Sequence, residues 1–99
     1  MYKDIEKLMY GYEVKDFIFN IVKELIKENY NLNYEDLFIL LEKKLNNEYN
    51  QCKWKLEVKI SNEKIFLKIE KTCGHIHNVD DFYLMKVEDL NMLNNLKEF

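Results

Sequence analysis

The stretch "CKWKLEVKISNEKIFLKIEKTC", residues 52–73, sets the fold. In its first half Cys52, Trp54, Leu56, Val58 and Ile60 alternate with Lys53, Lys55, Glu57, Lys59 and Ser61. In its second half Ile65, Leu67 and Ile69 alternate with mostly polar neighbours. A period of two is the signature of a strand with one buried and one solvated face. Between the halves, Asn62 and Glu63 fit a two-residue loop, which closes the hairpin with Ser61 opposite Lys64. That register can be tested on charge. It sets Glu57 against Lys68 and Lys55 against Glu70 on one face, with Val58 against Leu67 and Leu56 against Ile69 on the other. Opposite charges and matched aliphatics both favour it. It also brings Cys52 opposite Cys73 on the apolar side.

Upstream of the hairpin the period is helical. Apolar residues recur at Val14, Phe17, Ile18, Ile21, Val22, Leu25 and Ile26, which predicts a strong helix from about Glu13 to Glu28, with Gly11 separating it from a shorter first piece. The polar run "ENYNLN" ends it. Asn33 suits an N-cap for a second helix, with Leu32 and Leu37 as a hydrophobic staple and Phe38, Leu41 and Leu45 continuing the buried stripe. Downstream, "DFYLMKV" reads as a short third strand near 82–87, and Val87, Leu90, Leu93, Leu96 and Phe99 step along one side of a C-terminal helix. The order helix, helix, strand, strand, strand, helix predicts an α+β fold, a three-stranded antiparallel sheet covered on one face by a single layer of helices. Ninety-nine residues suit one domain with one core.

Composition narrows the setting. The chain has no arginine, alanine or proline and is rich in Lys, Asn, Ile, Tyr and Phe, a bias that points to an AT-rich coding source such as a low-GC bacterium or its phages. The net charge of -3 has the wrong sign for a general phosphate binder. "MYKDIEKLMYGY" has no signal-peptide core, and no run approaches the roughly 20 apolar residues of a membrane span. A cytoplasmic protein is expected, the host cytosol if phage-encoded, and in that compartment two cysteines are expected to be thiols.

The segment "KTCGHIHN", residues 71–78, gathers one cysteine and both histidines. Were the strand to run past Gly74, Cys52, Cys73, His75 and His77 would share a face and supply the two thiolates and two imidazoles that a closed zinc site accepts. The plainer reading buries both cysteines as small hydrophobes and leaves the histidines in a solvated loop begun by Gly74. A cross-strand disulfide is the third option. "CGHIHN" also resembles the last metal-binding motif of calcineurin-like metallophosphoesterases, whose upstream Asp-x-His, Gly-Asp and Asn-His motifs this chain lacks.

Lys53, Lys55, Lys59, Lys64 and Lys68 fall on the outer sheet face with Phe66 among them, a pattern that would suit a nucleic-acid platform. From Tyr34 onward the element order resembles a double-stranded-RNA-binding domain. That family opens its last helix with lysines, whereas this one opens with Val87, Glu88 and Asp89, so direct nucleic-acid contact is disfavoured.

Without a catalytic constellation, the expected role is non-enzymatic binding of a protein or ribonucleoprotein. A phage- or mobile-element-type accessory protein, an anti-CRISPR-like inhibitor acting by occlusion, fits the composition. Tyr2, Tyr10 and Tyr12 beside Asp4, Glu6 and Glu13 form the expected contact patch, since tyrosine gives large contact area at low entropic cost. An open edge strand could also pair with its twin in a homodimer.

Overall fold

A computed structural model describes residues 11–29 and 31–96. Its elements run α1 (Gly11–Glu28), α2 (Tyr34–Glu48), β1 (Lys53–Ser61), β2 (Lys64–Cys73), β3 (Ile76–Lys86) and α3 (Val87–Leu96). The sheet is antiparallel with order β1-β2-β3. This is the α+β architecture the sequence predicts.

The hairpin register is the expected one at every pair, from Ser61 opposite Lys64 to Lys53 opposite Thr72. Asn62 and Glu63 both have positive φ, 51° and 59°, as a type I′ turn requires. The Glu63 carbonyl also accepts the Val87 N–H at 2.9 Å, which pins the start of α3 to the turn. Asn33 caps α2, its side chain accepting the Asp36 N–H at 2.8 Å. Leu37, Phe38, Leu41 and Leu45 bury the stripe beneath it.

The third strand is longer than its apolar residues suggest. It begins at Ile76, six residues before the expected start at 82, because Gly74 and His75 form a two-residue turn that pairs Cys73 directly with Ile76. Gly74 takes φ +62°, a conformation glycine adopts without steric cost. The segment read as a solvated loop is therefore a turn and a strand. A shift of register between Ile65 and Phe66 places a bulge near the other end of β3.

The core lies between the sheet and the helices. Ile18, Val22 and Ile26 of α1, Leu37, Leu41 and Leu45 of α2, Ile65, Leu67 and Ile69 of β2 and Leu90 of α3 are fully buried. Helix α1 packs on α2, β3 and α3, while α2 packs on β1. Lys44 ties the two long helices on the solvent side, with its Nζ 3.7 and 3.6 Å from the Glu24 and Glu28 carboxylates and 3.3 Å from Glu48. Burial works against its charge, but the hydrogen bond to Glu48 and the surrounding carboxylates outweigh it and hold its pKa above the ordinary lysine value. Among the described residues no helix is long and apolar enough to cross a membrane.

Two asparagines join elements that sequence distance keeps apart. Asn94 on α3 accepts the Leu32 N–H at 3.2 Å and donates to the Leu32 carbonyl at 2.8 Å, clamping the α1–α2 turn. Asn46 on α2 does the same for Trp54, accepting its N–H at 2.9 Å and donating to its carbonyl at 3.0 Å. Glu42, one turn earlier, accepts the Leu56 N–H at 3.1 Å. One side of α2 thus stands in for a missing strand beside β1.

Candidate functional site

Cys52 and Cys73 meet across the base of the hairpin, as the register requires, and are joined in a disulfide with Cα atoms 4.3 Å apart. This corrects the expectation of free thiols. Both sulfurs are buried beside Trp54, whose ring stands 6.0 Å from Phe17 and whose indole N–H donates to the Tyr49 carbonyl at 3.0 Å. Packing brings the two Cβ atoms together in a pair that chemistry then closes.

The histidines do not join them. His75 occupies the exposed turn, and His77 lies opposite Thr72 on the outer face of the sheet. Its Nε2 stands 3.9 Å from a Glu70 carboxylate oxygen. The strand reverses at Gly74 instead of continuing, so of the supposed zinc set the two cysteines lie on the inner face, His77 on the outer face and His75 in the turn. Among the described residues no group of three or more His, Cys, Asp and Glu side chains is placed to hold a metal ion.

The inner face of β3 holds a polar group that periodicity does not reveal. Opposite Ile69 and Lys71 of β2 stand Asp80 and Asn78. Lys71 is buried, and its charge favours an ionised Asp80; desolvation of the carboxyl is the stronger effect and raises its pKa above the ordinary value. The Asn78 amide nitrogen is buried with no hydrogen-bond partner among the described residues.

On the outer face the five lysines have unequal surroundings. Lys55 stands opposite Glu70, and Lys68 lies in register between Glu57 and Asp81. Lys53 stands opposite Thr72. Lys59 stands opposite Phe66, which in turn faces Tyr83, with the two rings 5.7 Å apart. The ammonium groups of Lys15 and Lys64 lie 5.4 and 5.9 Å from the Tyr83 ring centre, within cation–π range. A cationic and aromatic patch exists, therefore, but at one end of the sheet only.

Of the expected tyrosine patch, Tyr2, Asp4, Glu6 and Tyr10 lie outside the described residues. Tyr12 and Glu13 fall in the first turn of α1, and their side chains lie outside the described set as well. Tyr49 packs edge-on against Phe17 at 5.0 Å, part of its own core.

Among the described residues, two apolar grooves were not legible in the sequence. One, of about 420 Å³, lies between α1, β3 and α3 and is lined by Phe19, Tyr83, Leu84, Met85, Met92 and Leu93, with Asp89 at its rim. The other, of about 270 Å³, separates α2 from β1 and is lined by Phe38, Ile39, Leu56 and Val58 with Tyr34, Glu35 and Glu42. Ile39 and Met92, 67% and 56% exposed, mark their edges. Helical spacing alone could have flagged Met92, which falls outside the stripe of Leu90 and Leu93. Set against known protein families, curated proteins and solved structures, the chain matches none.

Proposed function

We propose that this chain is a small non-enzymatic protein-binding module, a phage- or mobile-element-type accessory protein that inhibits a host or defence-system macromolecule by covering part of its surface. The observation that carries this reading is the groove between α1, β3 and α3. It is open and apolar, and an exposed methionine stands at its mouth. Methionine adapts its shape to an incoming side chain and is favoured at binding surfaces. Asp89 at the rim suits a cation on the partner, so the fitting segment presents an apolar side chain beside a lysine or arginine. Tyr2, Tyr10 and Tyr12 with Asp4, Glu6 and Glu13 are the other candidate contact residues.

The test is capture of a partner from the native host by wild type and by two variants, Met92→Lys and the triple alanine substitution at Tyr2, Tyr10 and Tyr12. Loss of the same partner with either variant, at unchanged melting temperature, supports the reading and says which surface is used. Equal capture by all three proteins removes both surfaces.

A second reading rests on the row Lys59, Phe66 and Tyr83, which could stack an unpaired base while Lys15 and Lys64 neutralise its phosphates. It predicts binding of single-stranded nucleic acid that weakens with salt and is lost when Lys55 and Lys59 become Glu. The zinc-stabilised alternative needs the disulfide reduced first. Cobalt added to the reduced chain would then show thiolate charge-transfer bands that a Cys52→Ser variant lacks. The cytosolic placement belongs with these proposals, and the disulfide pulls against it because such bonds persist in oxidising compartments.

A further inference from the structure

The backbone of β1 is only partly satisfied on its outer edge. Trp54 turns both its N–H and its carbonyl away from β2, toward Asn46, and Leu56 turns its N–H the same way, toward Glu42. Strand geometry repeats every two residues, so Val58 and Ile60 present their N–H and carbonyl groups along that edge too. One turn nearer its start, however, α2 offers Phe38 and Ile39, whose side chains hold no hydrogen-bonding atom. The substitute strand stops at Leu56. Among the described residues nothing takes up the Leu56 carbonyl or the Val58 and Ile60 groups, and Ile60 beside them is 37% exposed. The opposite edge, β3, is interrupted by its bulge, a device that discourages pairing.

We propose that this open segment pairs with the same segment of a second copy, antiparallel about a two-fold axis at Val58, to join two sheets into one of six strands. Charge selects the register. Centred on Val58, the pairing places Glu57 opposite Lys59 of the second copy, and symmetry makes that contact twice. Lys55 meets Ser61. Centring on Glu57 instead sets Glu57 against itself and Lys55 against Lys59; centring on Lys59 sets two lysines together; centring on Leu56 needs at its axis the N–H that Glu42 holds in both copies, and on either side the Trp54 groups that Asn46 holds. Centring on Ile60 brings Glu57 against Glu63. The Val58 register leaves the Leu56 N–H with Glu42, pairs through the Val58 groups and from the Ile60 N–H to the Leu56 carbonyl, and opposes no like charges.

The apolar side agrees. With Val58 facing Val58, Ile60 of each copy lies beside Leu56 of the other, over the groove edged by Ile39. The exposed aliphatics on this side of the molecule, Ile39 and Ile60, are covered in the same step. All helices fall on one face of the joined sheet, and the two grooves at Met92 remain open at its far ends.

The test uses the full chain in sedimentation and native mass measurements. Wild type is expected at twice the 12.2 kDa of one chain. Lys59→Glu opposes two glutamates and Glu57→Lys opposes two lysines, so each variant alone is expected to be a monomer. An equimolar mixture of the two restores both opposite-charge contacts and is expected to return a dimer. Amide exchange of wild type provides a reading free of any substitution: the Val58 and Ile60 amides should lose protection on dilution while those of Glu57 and Lys59, bonded to β2, keep it. A wild-type monomer at its highest soluble concentration overturns the proposal. So does a dimer that survives Lys59→Glu, or a mixture of the two variants that stays monomeric.

Discussion

Glu63 holds φ +59° with a side chain that gains nothing from the left-handed region. Asn62, its partner in the turn, tolerates that region better, and Asn-Gly is the pair that type I′ turns favour. Glu63→Gly is therefore expected to stabilise the protein by about 1 kcal/mol, read as a higher denaturant midpoint with an unchanged slope; no gain would mean that the turn relaxes in solution. The bond from Val87 uses the Glu63 carbonyl and survives the change. Asp80 gives a second residue-level prediction. Burial raises its pKa, with Lys71 only partly opposing, so the folded state holds a proton that the unfolded state releases. Stability contributed at this site is thus highest below the ordinary carboxylate value and falls as pH climbs through the raised folded value, then levels. Asp80→Asn removes that slope. Parallel stability curves for wild type and variant between pH 3 and 7 would show that the carboxyl is solvated after all. Neither residue announced itself in the sequence, because one depends on a backbone angle and the other on what stands opposite it.

At the level of elements, the asparagine clamps differ in a way that predicts their cost. Asn94 is 9% exposed, so Asn94→Ala strands the Leu32 N–H and carbonyl where water reaches poorly. Asn46 is exposed, and water can replace it at Trp54. Asn94→Ala should cost about 2–3 kcal/mol and Asn46→Ala about 1 kcal/mol, measured by chemical unfolding; the reverse order would mean that α2 is the stricter brace. The same contrast between apolar and polar signals explains what the sequence reveals of the elements. The β1–β2 hairpin was legible to the residue because apolar alternation, turn residues and cross-strand charge all agree. Asn33 and the α2 stripe were legible because a cap and a 3.6 period agree. The first half of β3 was hidden because its inward positions are Asn78 and Asp80, which hide the alternation that betrayed β1 and β2. A two-residue turn at Gly74 and His75 was the available signal, and it places Lys68 opposite Asp81 and Glu70 opposite Val79. Of the candidate sites, the cysteine pair was legible from register, whereas the grooves arise from how α2 and α3 meet the sheet and leave no trace in linear order.

For the molecule as a whole, the disulfide decides how much stability depends on surroundings. It joins residues 21 apart and ties the edge strand β1 to the central strand β2 at the end of the sheet opposite the Asn62 turn. By restricting the unfolded chain, a loop of that size contributes about 3 kcal/mol. For a domain of this length that is a fall in melting temperature of roughly 12–24 °C on reduction, set against a folded state whose remaining core, Ile18 to Leu90, is unchanged. The expected experiment is a thermal melt of the oxidised protein, the same protein with reductant, and Cys52→Ser/Cys73→Ser. The last two should melt together and below the first. The sulfurs are buried, so reduction should follow opening of the sheet end and accelerate in mild denaturant. An oxidised protein that melts with the reduced one would mean that packing at Trp54 and Tyr49 alone holds the sheet end. Thiol trapping in host cells then assigns the compartment. If the bond is present before lysis, the protein works in an oxidising space and meets its partner there. If it is absent, the cytosolic chain runs on the reduced stability, and Cys52 and Cys73 are two buried thiols to which His75 and His77 would have to be brought before a metal could bind.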